Sequence, residues 1–278
     1  MKTTSPEAAE LGRQLIAEIE RLGIDPVVDT ESCTAFGCEG SVDRAGLASQ
    51  VDLIVVLGGD GTLLSVTRDE IGDTPVLGIN MGSLGFLTEH SADSLFPILA
   101  KALEGTAHLE RRERLQVTIS SSDHEPTSAR VLNDAVINKG ALARMIVLSV
   151  HVDGTFVSHF RADGLIVSTP TGSTAYNLSA GGPILYPTLD AMVVTPICPH
   201  ALTNRPIVLA LDSVVEIRLE GPAEKVYLTL DGQQGFPISD RDLVRIERCP
   251  EPIQLITEPS RSYFQVLHHK LKWGERRG

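Results

Sequence analysis

Nowhere in its 278 residues does the chain carry an apolar run approaching the roughly 18 residues of a membrane-spanning helix, and no signal-peptide pattern opens it. Excess positive charge is lacking too. With 24 Lys and Arg against 36 Asp and Glu, the net charge is −12, which argues against nucleic acid or an anionic membrane as the main partner. An anionic substrate must then be held by local basic groups, backbone amides or a metal. Cysteine is scarce. Cys33, Cys38, Cys198 and Cys249 show no Cys-x-x-Cys spacing and no accompanying histidine cluster, so they read as reduced thiols of a cytoplasmic protein and argue against zinc. No Gly-x-x-x-x-Gly-Lys-Ser/Thr occurs, which excludes a Walker P-loop. Internal repeats and low-complexity segments are absent as well.

What the chain does have is apolar mass: 42% hydrophobic and 22% charged residues describe a globular protein of one large or two ordinary domains. Its organising stretch is Leu53 to Leu64. An unbroken apolar run suits a strand buried on both faces of a parallel sheet, and Gly58, Gly59, Asp60 and Gly61 then break it. Thr62 follows as a predicted helix cap, with Leu63, Leu64 and Val66 on the apolar face. Such a strand–glycine turn–helix points backbone N–H groups at whatever lies over the strand's carboxyl end, commonly a phosphate. A carboxylate is out of place in a phosphate cradle. Asp-Gly is a turn dipeptide, and it recurs at Asp153-Gly154, Asp163-Gly164 and Asp231-Gly232; the first of these reads as a hairpin. Asp60 differs, because a buried strand precedes it and a helix follows. It reads as a general base taking a proton from a hydroxyl while the amides of Gly58, Gly59 and Gly61 hold phosphate.

In chain order, Ala8, Leu11, Leu15, Ile19 and Leu22 mark a helix opened by Ser5-Pro6-Glu7, and Pro26–Asp29 reads as a short strand. The central strand, a helix over Leu63–Ile71 and a strand over Pro75–Asn80 follow. Alternating strands and helices argue for a doubly wound α/β domain, although one that opens on a helix where a strand is usual. Asn80–Thr88 is a second glycine-rich turn, and two such loops off adjacent strands build a cleft. A helix over 95–103 closes the α/β part. From about Arg112 the period becomes two: Leu115, Val117 and Ile119 alternate with polar residues, with similar runs at 129–138, 145–152, 165–168, 214–219, 226–230 and 243–246. That pattern predicts an all-β sandwich-like domain. The expected division is 1–108 α/β, 109–262 β-sandwich-like and 263–278 a terminal helix or arm packing back.

Asn133 and Asp134 sit in an apolar strand pattern, where a buried amide–carboxylate pair needs partners such as sugar hydroxyls. The stretch Arg161–Pro183 gathers hydroxyls, small residues and glycines around one aromatic, a composition that lets a flat ligand approach the backbone.

Gly58-Gly-Asp-Gly61, Asn80–Leu87, Asn133-Asp134 and above all Thr169–Pro183 resemble the NAD kinases, enzymes that phosphorylate NAD to NADP. The resemblance continues through Pro196–His200, Asn204-Arg-Pro206, Asp231-Gly-Gln233 and Lys270–Trp273, and so covers nearly the whole chain after residue 50. It implies a phosphofructokinase-like α/β domain, a β-sandwich domain and a homo-oligomer, dimer or tetramer. By the same resemblance, Asp60 accepts the proton of the 2′-hydroxyl of the adenosine ribose, with Gly61 beside the ligand. NAD binding falls to Asn133, Asp134, Arg144, Arg161, Asp163, Thr174, Ala175, Tyr176, Asn177, Leu178, Ser179 and Gln233. The hydroxyl attacks the γ-phosphate of ATP, with Mg²⁺ or another divalent cation shielding charge; the resemblance leaves open polyphosphate as donor and assigns no metal ligand.

Three positions depart from the family pattern. The family usually opens on a strand and a loop, and Met1–Ser5 starts almost inside that loop, so the expectation is that either the first strand is missing or the true start lies upstream. Asp134 stands where Glu is more usual, and Ser65 stands where several relatives carry a basic residue. Two other readings share parts of the pattern: a lipid-type kinase with the same Gly-Gly-Asp-Gly loop, and a dinucleotide-binding regulator with little turnover.

Overall fold

In the computed structural model, which describes residues 5–37, 41–123, 125–140, 143–221 and 225–273, the chain forms two compact units. One comprises residues 1–111 with 253–278, and the other residues 112–252.

The first unit opens on the helix Pro6–Arg21. Ser5 caps it by accepting the Ala8 N–H, Pro6 occupies the first turn, and Ala8, Gly12 and Leu15 form its buried side. The predicted strand at Pro26–Asp29 is not formed. Asp29 makes only an isolated bridge to Val42 and caps the helix Thr30–Phe36. The central strand is Ile54–Gly58, and it pairs in parallel with Val76–Asn80. Between them runs the helix Asp60–Thr67. Its cap is Gly59 rather than Thr62, so Asp60 becomes the first helical residue. Val76–Asn80 pairs further with His90–Ser91 and with Ile253–Thr257, and the latter neighbours His108–Arg112. Ile54–Gly58 is the end strand of this sheet among the described residues. Leu57, Leu77, Ile79, Leu95, Ile98, Leu99 and Ile256 form the core with Ala8 and Leu15 from the opening helix.

The segment 253–262 was expected in the β part, but Ile253–Thr257 belongs to the α/β sheet. Its buried Ile253, Leu255 and Ile256 read as strand in either setting. The terminal helix Tyr263–Leu271 lies in the same unit, opened by a capping box between Ser262 and Gln265. Cys33 is disulfide-bonded, against the all-thiol expectation; Cys198 and Cys249 are free, and Cys38 lies outside the described residues.

The second unit holds two six-stranded antiparallel sheets. One runs Ile207–Ala210, Ala191–Ile197, Gly164–Ser168, Asp134–Lys139, Val226–Leu230, Gln234–Ile238. The other runs Thr127–Val131, Leu115–Ser121, Asp242–Arg248, Val215–Leu219, Ile146–Val152, Thr155–Ala162. Period-two alternation puts Leu115, Val117 and Ile119 from one sheet into the same apolar cluster as Ala135, Ile137, Leu165 and Val167 from the other. The run expected as one strand at 129–138 is two, and they lie in different sheets. The chain changes sheet at Leu132-Asn133. Gly164–Ser168 is buried throughout, because Val136, Ile166 and Ile197 on its outer face are covered in part by Ala180. The loop after Ser168 therefore returns over that face.

Candidate functional site

In the α/β unit both glycine loops leave the carboxyl ends of adjacent parallel strands, Ile54–Gly58 and Val76–Asn80. Asp60 ties one to the other. Its Oδ1 accepts the N–H groups of Leu87 (3.1 Å) and Thr88 (3.0 Å) and the Thr88 hydroxyl (3.0 Å). Among the described residues, its Oδ2 accepts only the Phe86 N–H, at 2.8 Å. Oδ1 is thus filled by three donors, while Oδ2 keeps a lone pair for a further hydroxyl. Asn80 continues the network, donating to Thr88 Oγ1 at 2.8 Å and accepting the Gly82 N–H at 2.7 Å. The approach is so close that a Cβ on Gly85 would overlap Asp60 Oδ1 and Thr88 Oγ1. Asn80, Gly85 and Thr88 belong to the Asp60 network without having been singled out one by one from the sequence; the only signal was their place in the second glycine turn. Ser65 has a guanidinium beside it after all: Arg44 donates to its Oγ at 3.3 Å, while also pairing with Asp29 and Glu31.

In the β unit, Asn133 and Asp134 lie at the sheet change. Asp134 is 4% exposed, and no described residue donates a hydrogen bond to its carboxyl. Burial pushes that carboxyl up to about 7, with the negative charge of Asp231 adding to the shift. The Asn133 backbone is held from the other side: its carbonyl accepts the Thr169 N–H at 2.9 Å, and Thr169 Oγ1 donates to the Leu132 carbonyl at 2.6 Å. Gly172 packs so closely that a Cβ there would run into the Asn133 backbone.

The loop from Thr169 forms a tight turn over Thr171–Thr174 and one helical turn over Tyr176–Ser179. Asn177 is fully buried. Its amide donates to the carbonyls of Ser173 (2.9 Å) and Pro183 (3.0 Å), and its oxygen accepts the Thr195 hydroxyl (2.6 Å). That side chain is spent on shaping the loop. Tyr176 is exposed, as is Ser179, while Thr174, Ala175 and Leu178 are half-buried. Gln233 is exposed on the hairpin turn that carries Asp231.

The other expected residues fall elsewhere. Ser168 pairs with Asp134, and Gly164 with Asn138, so Asp163 lies at the opposite end of that strand pair. There Asp163 meets Lys139 Nζ at 3.5 Å. Arg161 is exposed on Thr155–Ala162 of the other sheet, opposite Val147, and Arg144 is exposed just before Ile146. The structure brings together Asn133, Asp134 and the start of the Thr169 loop, and sets Arg144, Arg161 and Asp163 apart from them.

Among the described residues, no group of three or more His, Cys, Asp or Glu could hold a metal ion. The described side chains therefore do not form a protein-built Mg²⁺ cage.

Paired glycine loops with a carboxylate at strand ends, joined in one chain to an all-β unit with a buried polar pair and a hydroxyl-rich loop, define a small-molecule phosphotransferase of the nucleotide kinds. Residues 38–107 match the ATP-NAD kinase N-terminal domain, and residues 132–258 match the ATP-NAD kinase C-terminal domain. The NAD kinase of Geotalea daltonii is 47% identical over 99% of this chain and 97% of its own length, and that of Geobacter sulfurreducens likewise 47% over 99% and 97%. Among solved structures, yeast NADH kinase complexed with NADH has a TM-score of 0.89 at 25% identity, covering 98% of this chain and 86% of that one. An NAD kinase from Archaeoglobus fulgidus in complex with ATP has a TM-score of 0.73 at 28% identity, covering 94% of each chain. The chain belongs to the NAD kinase family.

Proposed function

We propose that this chain transfers the γ-phosphoryl group of ATP to the 2′-hydroxyl of the adenosine ribose of NAD, giving NADP, with Asp60 as the proton acceptor. The observation that carries the assignment is the asymmetric filling of the Asp60 carboxylate. Three donors on Oδ1 fix its orientation, and the single donor on Oδ2 leaves that oxygen able to accept the ribose hydroxyl. As the hydroxyl oxygen attacks phosphorus, its proton passes to Oδ2 and the bond to the ADP oxygen breaks. The backbone amides of Gly58, Gly59 and Gly61 face the transferring phosphate, where they offer donors without a charge of their own. A divalent cation would shield the phosphate charge of ATP, and among the described residues no cluster of side chains is placed to hold one without the phosphates. Polyphosphate in place of ATP is the same chemistry with a different leaving group.

NAD binding rests on Asn133 and Asp134, on the exposed and half-buried members of Thr174–Ser179, and on Gln233. Arg144, Arg161 and Asp163 lie at the far end of the strand pair or on the other sheet. A homo-oligomer, dimer or tetramer, in which one copy's remote residues serve another copy's substrate, accounts for that separation. The deciding experiment incubates the purified chain with ATP, Mg²⁺ and NAD and reads NADP with an NADP-specific dehydrogenase. NADP at catalytic turnover supports the assignment. No NADP from either ATP or polyphosphate overturns it.

A further inference from the structure

The backbone at the sheet change poses an accounting problem. Leu132, Asn133 and Asp134 lie between Thr127–Val131 in one sheet and the body of Asp134–Lys139 in the other. Leu132 and Asp134 are 1% and 4% exposed, so their N–H groups need partners inside the protein. One side chain supplies them all. Asp231 Oδ1 accepts the Asn133 N–H at 2.8 Å and the Asp134 N–H at 3.1 Å, and its Oδ2 accepts the Leu132 N–H at 3.0 Å. The Asp231 N–H returns the bond, donating to the Asp134 carbonyl at 2.9 Å. Three successive amides around one carboxylate form an anion nest in which the anion belongs to the protein itself.

The donor of this carboxylate is held as firmly as its target. Asp231 and Gly232 form the turn between Val226–Leu230 and Gln234–Ile238, with φ of +49° and +66°. Asp tolerates that left-handed conformation better than most residues. Asp231 and Gly232 are the central pair of a β-turn closed by the Gln233 N–H on the Leu230 carbonyl at 2.9 Å, within a three-residue hairpin connection. The hairpin is anchored because Val226–Leu230 pairs with Asp134–Lys139 itself, Leu230 lying opposite Ala135. The turn thus aims Asp231 at the amides just ahead of that strand.

We propose that Asp231 is a positioning residue for the reaction: by gripping the Leu132–Asp134 backbone from the hairpin turn, it fixes the directions in which Asn133 and Asp134 present their side chains to NAD. The proposal rests on the reading that this pair binds NAD. The same charge acts on the pair electrostatically, since Asp231 adds to the burial that keeps the Asp134 carboxyl protonated toward neutrality, where it can donate as well as accept.

The test compares Asp231→Gly and Asp231→Asn with wild type for the KM of NAD, the KM of ATP and kcat. Glycine adopts the positive φ freely, so Asp231→Gly removes the carboxylate while keeping the turn; Asn keeps the turn and one acceptor oxygen. Misplacing the pair should raise the KM of NAD by about tenfold in Asp231→Gly and less in Asp231→Asn. The KM of ATP and kcat at saturating NAD should change by less than about threefold. In Asp231→Asn the pH inflection in the KM of NAD should move to lower pH, which a purely structural role would not produce. Asn133→Ala and Asp134→Asn serve as controls. If neither control changes the KM of NAD, the pair does not bind NAD and the positioning role falls with it. If they raise it and both Asp231 variants do not, the positioning role alone is overturned. Should both variants fail to fold, hydrogen exchange on the wild-type protein decides: slow exchange at the Leu132, Asn133 and Asp134 amides supports the clamp, and fast exchange removes it.

Discussion

Replacing Asp134 with Asn removes an ionisable group from a place that does not favour its charge, and the gain in stability should depend on pH. In the folded protein burial raises the Asp134 carboxyl to about 7 from an ordinary 3.8, and no described residue compensates with a hydrogen bond. Below pH 3.8 both folded and unfolded chains hold the proton, so nothing is lost. Between about 4 and 7 the unfolded chain releases it while the folded chain keeps it, and stability falls as pH rises. Above about 7 the penalty is complete and constant. A shift of about three pKa units corresponds to about 4 kcal/mol. Asparagine is nearly isosteric and never ionises, so it escapes this penalty. At pH 8 without ligand, Asp134→Asn should therefore melt about 8–16 °C above wild type, at about 2–4 °C per kcal/mol for a unit of this size. At pH 4 the two should melt together. Differential scanning calorimetry at both pH values measures this directly. An equal difference at pH 4 and pH 8, or a less stable variant at pH 8, would refute the claim that Asp134 is buried without a compensating partner.

Three other outcomes are expected. Asp60→Asn should lower kcat by about 10²–10⁴, through loss of the proton acceptor and through an amide NH₂ set against backbone donors; near-normal turnover would remove Asp60 from that role. Gly85→Ala should also reduce kcat strongly, because its Cβ would overlap the Asp60 carboxylate, and NAD titration by fluorescence or calorimetry should show that unit 112–252 remains folded. Tyr176→Ala should raise the KM of NAD more than that of ATP, since an exposed aromatic surface is lost from the NAD loop; a rise confined to ATP would show that the two substrates were assigned to the wrong elements.

Some of this was readable from one dimension. A change of apolar period from helical to two is a local property, because side-chain direction follows from backbone geometry residue by residue. It located the α/β part, the β part and the strand at Leu53–Gly58. The glycine turn after that strand, and the hydroxyl-rich run from Thr169, were visible because only certain residue types permit close backbone approach. Where the signal failed, its cause was equally local. Thr155–Ala162 was missed because its side chains are mostly exposed and carry no alternation. The 129–138 run looked like a single strand because a switch between sheets does not interrupt hydrophobicity.

Tertiary structure decided the rest, because partners far apart in sequence leave no periodic trace. Nothing within Ile253–Thr257 says which sheet it joins; its placement beside Val76–Asn80 depends on the chain's return after the whole β unit. Asp60 had a chemical role in sequence, but its grip on Phe86, Leu87 and Thr88 spans 26 to 28 residues. Asp231 looked like one more Asp in an Asp-Gly turn. Only the pairing of Val226–Leu230 with Asp134–Lys139 carries its carboxylate across 97 to 99 residues to the amides of Leu132, Asn133 and Asp134. The local pattern specifies which elements form, because propensity and period act over a few residues; which carboxylate meets which backbone is set by sheet registry, and registry exists only once the chain has folded.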